Sequence, residues 1–252
     1  MAMSGHGGSN GKTNGKADGS VSEQDALART GARGAGAVSV GDEDEKGPDS
    51  SKDDLAAGGS PVEVADESPD PLAPMPPAVA DLVAACVRFV ATRYGVPLDF
   101  TQDTLSLVDQ YARDGRRELS VRPEGVDLLA GSIGAYLGEV IRREHGGYWV
   151  ADGDPSAWRV QLSRVFLSFN PIGMAREALT LEEAEGFGAH LQLDEAERDA
   201  VEARLAALPE VDEEEFFLPT TRFDIVQIAV HALRAIMQSN GLADVRFTPE
   251  DY

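Results

Sequence analysis

The amino-acid sequence predicts an α+β protein in which helices pack on a small antiparallel meander of two or three strands, after a long disordered acidic tail. Aromatic side chains divide the chain, since all 9 Phe, 5 Tyr and 2 Trp lie at or beyond Phe89, whereas 13 of the 26 glycines fall within residues 1–75. Apolar residues recur with helical spacing up to about residue 145, alternate with period two over 148–169, and then return to helical spacing. This order differs from the regular strand–helix alternation of a parallel α/β sheet.

Residues 1–75 cannot build a hydrophobic core. They carry 14 acidic and 6 basic side chains and include the run Gly41-Asp42-Glu43-Asp44-Glu45. Such a composition buries too little apolar surface to offset the entropy lost on ordering. We therefore predict a disordered acidic tail over 1–75 and a single globular domain over 76–252, whose 16 arginines and 30 carboxylates give it a formal charge of −14.

Three amphipathic helices open the globular domain, with predicted ranges 76–95, 101–115 and 123–146. Pro76 and Pro77 suit a first helical turn, and Gly95 stops the first helix. Thr101 is a plausible N-cap for the second, with Phe100 and Leu105 spaced as a hydrophobic staple. The third helix ends at a double glycine.

The meander begins after that double glycine, with strands predicted from Tyr148, from Trp158 and from Val165. Asn170-Pro171 closes the segment. Ser163-Arg164 is not a strong hairpin signal, so the last two strands are either separate or one long bent strand. Further helices are predicted from about residue 174, over 194–208 and over 221–238.

Composition excludes several classes of function. A formal charge of −22 opposes nonspecific binding to nucleic acid or to an anionic membrane surface. Cys86 is the single cysteine, so the sequence predicts neither a disulfide nor a zinc site, and we expect no metal and no cofactor. With no secretory signal and no membrane span in the pattern, we predict a cytoplasmic protein.

The most distinctive motif starts in the third helix, where residues 134–139 read G-A-Y-L-G-E and residues 146–149 read G-G-Y-W. This cassette of 16 residues resembles one found in small bacterial domains of unknown function. The resemblance implies a bacterial origin and a helix-then-meander core. It implies no catalytic assignment, because such domains have no characterised activity.

Glycine inside a helix costs about 1 kcal/mol relative to alanine, so Gly134 and Gly138 need a compensating role. Close packing of the helix is the favoured interpretation, and a ligand approaching the exposed backbone is the alternative. Glu139 has Arg142 and Arg143 three and four residues later, which predicts a solvated ion pair in preference to a general base or ligand.

Other polar residues have a structural and a functional interpretation. Asp152 suits a turn better than a calcium loop, since Ser163 stands where such a loop needs Glu. His145 lies near a helix C-terminus, where its cation would be favoured. The last predicted helix carries one polar stripe, which either faces water or forms a partner surface. The stripe consists of Asp224, Gln227, His231, Arg234 and Gln238.

An acidic run over residues 212–215 is followed by Phe216 and Phe217, which either anchor the loop in the core or form an exposed segment that binds another protein. Because no catalytic set converges, the leading hypothesis is a non-enzymatic cytoplasmic interaction or regulatory module with a protein partner. The alternative is a small hydrolase or ligand-binding enzyme with a cleft beside the meander. Its weak candidate residues are Glu139, His145, Asp152 and His231.

Overall fold

A computed structural model describes residues 72–252 and confirms the α+β class. The predicted acidic tail lies outside the described residues, except for its last four. The seven α-helices of the described part are α1 Pro77–Tyr94, α2 Leu105–Leu119, α3 Val126–His145, α4 Pro171–Thr180, α5 Glu195–Leu205, α6 Glu213–Phe216 and α7 Pro219–Ser239. The strands are β1 Gly147–Val150, β2 Arg159–Leu162, β3 Leu167–Phe169 and β4 Gln192–Leu193.

Helix α3 forms the centre of the domain. Every residue over 130–142 is buried, so this helix has no solvent-facing stripe along that stretch. It packs chiefly against α4 and α1 and also contacts α2, α7 and the first two strands. A helix that is buried on all sides is typical of a core element.

The sheet is an antiparallel meander in the order β1-β2-β3-β4. Strand β1 pairs with β2 in the register Gly147↔Leu162, and β2 pairs with β3 through Val160↔Phe169. The structure corrects the strand number, because β4 pairs with β3 as a fourth strand. With only two residues, β4 is too short to show an alternating pattern in the sequence.

Strands β2 and β3 are separated by a bend over 163–166, and the C-terminal residue Tyr252 occupies it. The Tyr252 hydroxyl accepts a hydrogen bond from the Leu167 amide at 2.9 Å and lies 2.8 Å from the Leu162 carbonyl and 3.0 Å from that of Val165. Its ring stacks on Phe166 with centroids 4.6 Å apart. A residue about 90 positions away therefore decides where the strand breaks, which local sequence cannot indicate.

The predicted start of the second helix is confirmed in position, because Thr101 is the N-cap residue of a 3₁₀ turn that leads into α2, but its predicted capping bond and the predicted end of the helix are wrong. Thr101 makes no side-chain cap bond; the carboxylate of Asp99 accepts from the Thr101 amide and hydroxyl instead, and α2 follows a 3₁₀ turn. Helix α2 passes Gly115 and ends four residues later, because that glycine lies against Leu179 of α4 and does not stop the helix.

Helix α4 also starts earlier than predicted. Asn170 and Pro171 open it, with the Asn170 side-chain oxygen accepting from the Ile172 amide at 2.9 Å and the Gly173 amide at 3.0 Å. Among residues 72–252, none of the helices combines the length and the apolar character required to traverse a bilayer.

Candidate functional site

The glycines of the G-A-Y-L-G-E motif are packing positions. A Cβ at Gly134 would lie 2.5 Å from the Ile172 Cα and 2.5 Å from the Pro171 carbonyl oxygen. A Cβ at Gly138 would lie 2.6 Å from the Trp149 ring. Both spaces are filled by protein, so the backbone of α3 faces α4 and the first strand and does not face a ligand.

Glu139 is 1% exposed, so the prediction of a solvated ion pair is wrong. Its carboxylate accepts from Arg142 Nε at 2.8 Å, Arg143 Nε at 2.8 Å and Trp149 Nε1 at 3.3 Å. Burial raises its pKa, but the hydrogen bonds from the two guanidinium groups outweigh burial and lower the pKa below its ordinary value. The carboxylate is ionised and fully engaged, which leaves it a structural role.

The same network ties down the chain before α1. Arg142 donates through Nη1 to the Ala73 carbonyl at 2.9 Å, and Arg143 lies 3.8 Å above the centre of the Phe100 ring. Phe100 in turn packs on Tyr136 of the motif with ring centroids 5.2 Å apart. The motif thus joins the helices, the first strand and the entry segment of the domain.

Two further candidates belong to the scaffold. Asp152 is exposed in the turn between β1 and β2. Phe216 and Phe217 are buried, so they are core anchors and not an exposed docking segment. The Arg222 guanidinium lies over both rings, at 4.4 and 5.3 Å, and pairs with buried Glu177 of α4 at 2.8 Å. Sequence reasoning missed this buried pair, because nothing in the spacing of α7 distinguishes Arg222 from a surface arginine.

The polar stripe of α7 lies at the surface. His231 and Gln238 are exposed, and the other members Asp224, Gln227 and Arg234 are partly exposed, while most of the remaining helix is buried. Asp224 accepts a hydrogen bond from Gln102 at 3.0 Å, so the N-terminal end of the stripe touches the turn before α2. The exposure of the stripe is therefore compatible with both alternatives, a face that is only solvated and a surface that binds a partner.

Of the four weak catalytic candidates, His145 and His231 are linked by an electrostatic effect of His231 on the pKa of His145, and no hydrogen bond joins any two of the four among residues 72–252. His145 ends α3 and stacks on Phe223 of α7, with ring centroids 6.2 Å apart. The next residue, Gly146, turns the chain at φ 75°, and a Cβ there would lie 2.9 Å from Ser163 Oγ and 4.0 Å from Arg164 Nε. We call the set His145, Ser163 and Arg164 the corner cluster.

His145 Nε2 and Ser163 Oγ are buried and have no hydrogen-bond partner among residues 72–252. They are not bonded to each other, so they do not form a nucleophile–base pair in this structure. The sequence drew attention to Ser163 as part of an uncertain hairpin signal and as the residue that rules out a calcium loop, and no pattern indicated that the bend meets the end of α3.

The electrostatics of the corner cluster contradict the expectation of a favoured His145 cation. Burial is the largest cause that lowers the pKa of His145, and the positive groups of His231, Arg164 and Arg234 lower it further, to about 4. The imidazole is therefore neutral at pH 7.

Within residues 72–252, no three His, Cys, Asp or Glu side chains are grouped so that they could hold a metal ion. Comparison with known protein families, with curated proteins and with solved structures finds no match to this chain. The resemblance of the G-A-Y-L-G-E cassette to bacterial domains stays a prediction.

Proposed function

We propose that the protein is a non-enzymatic interaction module whose partner protein binds the outer face of α7. The surface consists of the polar stripe together with two residues that follow the helix, Leu242 and Val245. The observation that carries the proposal is that the chain leads from the exposed end of the stripe at Gln238 to these two apolar side chains, which are 47% and 38% exposed. An apolar centre beside polar side chains is the usual anatomy of a protein interface.

The end of α7 holds these side chains in place. Gly241 adopts φ 72° and donates to the Gln238 carbonyl at 3.1 Å, while Leu242 donates to the Met237 carbonyl at 2.8 Å. This is the Schellman pattern, in which Leu242 would ordinarily pack back on Met237. Leu242 instead keeps about half of its surface exposed on an ordered turn.

Charge indicates the chemistry of the partner. The C-terminal half of the stripe carries the basic side chains of His231 and Arg234, on a domain whose formal charge is −14. This cationic region on an acidic domain favours a partner that presents an acidic side chain next to an apolar one, because complementary potentials steer association and fix its register.

A cytoplasmic location belongs to the same proposal. It is supported by the single cysteine, Cys86, which burial keeps as a neutral thiol by raising its pKa to about 12.

Site-directed crosslinking tests the proposal. Residues 72–252 contain no lysine and Cys86 is buried, so Gln238→Cys would create the accessible thiol of this domain for a photoactivatable crosslinker. The matched control is Glu202→Cys, on the exposed face of α5. We expect a single acidic partner to be captured from position 238 and not from 202, and its capture to fall when Leu242→Ser is added. Equal capture from both positions, or no effect of Leu242→Ser, would reject this surface.

A further inference from the structure

We propose that residues 240–252 form a releasable strap, and that its Tyr252 switches strands β2 and β3 between two pairings. With the strap in place, the Tyr252 hydroxyl stands between the backbone groups of Leu162 and Leu167. With the strap released, these two residues pair with each other directly. The switch goes beyond the proposed interaction module, because it operates within one chain and needs no partner.

The ladder between β2 and β3 ends one pair early. Its register stops one step before Leu162 would lie opposite Leu167. The Ser163 amide donates to the Gly146 carbonyl at 3.4 Å, on the side of β1, so the preceding residue, Leu162, directs its peptide groups towards β3. Leu162 and Leu167 would therefore form one of the pairs in which the two residues exchange both N–H···O bonds.

The Tyr252 hydroxyl occupies the place of that pair. It accepts from the Leu167 amide at 2.9 Å and lies 2.8 Å from the Leu162 carbonyl oxygen. A hydroxyl is both a donor and an acceptor, so it bridges an amide and a carbonyl that could otherwise bond each other. Burial raises the pKa of Tyr252 to about 12, so the hydroxyl keeps the proton that it donates. The Leu167 amide and the Leu162 carbonyl therefore have a partner whether the strap is bound or released.

The strap buries little of its own surface. Over residues 240–252 every residue is exposed except Phe247 and Tyr252, which are half-buried. Their rings contact Phe166 of the bend, with centroids 5.7 and 4.6 Å from its own, and the Phe247 amide donates to the Ser163 carbonyl at 2.7 Å. Segments with few buried apolar contacts open locally at a low cost in free energy. The strap can therefore leave the bend while the rest of the domain stays folded.

Release converts the bend into a hairpin loop. With Leu162 and Leu167 paired, residues 163–166 form a loop of four residues, which is a common length for an antiparallel hairpin. The released state gains this pairing and loses the bonds of Tyr252 and the ring contacts on Phe166. Because gains and losses of the same kind offset each other, the two discrete pairings lie close in free energy, as a switch requires.

Amide hydrogen exchange of the full-length protein, followed by NMR without a partner, tests the switch. The Phe247 amide should exchange through local opening, at least about tenfold faster than the amide of Ile133 in the centre of α3. The Leu167 amide has a partner in both states, so it should exchange as slowly as that of Ile133. Tyr252→Phe removes the bridging hydroxyl and should accelerate exchange at Phe247 by about 5–150-fold, whereas the control Glu250→Gln, at an exposed strap residue, should not.

Two results would overturn the switch. If the Leu167 amide exchanges as fast as that of Phe247 in either protein, the bend frays and does not pair again. If Tyr252→Phe leaves exchange at Phe247 unchanged, Tyr252 does not hold the strap. Leu242 and Val245 lie on the strap, so its release would also move the proposed partner surface, a consequence that rests on the proposed function. Exchange is measured without a partner, so it succeeds or fails independently of the crosslinking experiment.

Discussion

Replacing Gly134 by alanine should destabilise the domain, although the same change stabilises most helices. Alanine gains about 1 kcal/mol over glycine from helix propensity alone. At Gly134, however, the new Cβ would lie 2.5 Å from the Ile172 Cα and 2.5 Å from the Pro171 carbonyl oxygen. These are backbone atoms of α4, which cannot rotate away as the end of a side chain can.

Overpacking of a core costs about 1–3 kcal/mol, and contact with backbone places this site at the upper end of that range. After subtraction of the propensity gain, the expected net loss is about 2 kcal/mol. For a domain of this size that corresponds to a fall in melting temperature of about 4–8 °C.

The matched control is Gly131→Ala in the same helix. There the nearest neighbour of the new Cβ would be Leu82 Cδ2 at 3.3 Å, the flexible end of a side chain that is only partly buried. We expect Gly131→Ala to be neutral or to gain up to about 1 kcal/mol. Thermal and urea unfolding of both variants measure the difference. If Gly134→Ala melts at or above the wild-type temperature, the close approach of α3 and α4 does not hold.

Three further outcomes follow from buried polar groups. Glu139→Gln should lower the free energy of unfolding by about 3–5 kcal/mol, whereas the control Arg143→Ala, at a partly exposed side chain, should lower it by less than about 1 kcal/mol. Because the folded pKa of Glu139 is depressed, the wild type should lose stability as pH falls below the ordinary Glu value of 4.5, and Glu139→Gln should remove this pH-dependent loss. The His145 ring should titrate near pH 4 when followed by NMR. Because its unfolded pKa is 6.5, the folded state should lose stability as pH falls from 6.5 towards 4, and a titration midpoint at or above 6.5 would contradict the burial of this ring. Tyr252→Phe leaves the Leu167 amide without its partner and should cost about 1–3 kcal/mol, so an unchanged urea midpoint would show that the C-terminus does not hold the β2–β3 bend.

Local sequence signals located most of the helices and the meander. Pro77 and Gly95 mark α1 because a proline fits the first turn and a glycine takes the left-handed conformation that ends it. Gly146 ends α3 with a positive φ of 75° but with ψ 152°, which is outside the left-handed helical region that Gly95 adopts. The change from helical to alternating spacing placed the first two strands within about a residue. Each of these features depends on neighbours a few positions apart, so the sequence displays it directly.

Tertiary structure decided the environment of the charged and aromatic side chains. Spacing correctly pairs Glu139 with Arg142, but it does not show that Trp149 and the neighbouring helices bury the pair. Likewise, an acidic run beside Phe216 is compatible with exposure until Arg222 is seen to lie over the ring.

The corner cluster shows most clearly what residue spacing along the chain cannot predict. Its members come from positions 145 and 163–164, and they lie together only because the end of α3 packs against the β2–β3 bend. The sequence by itself determined the α+β class, the helix ends and the acidic balance of the chain. Only the folded structure decided which polar groups are buried, because burial depends on contacts between distant segments, which residue spacing along the chain does not encode.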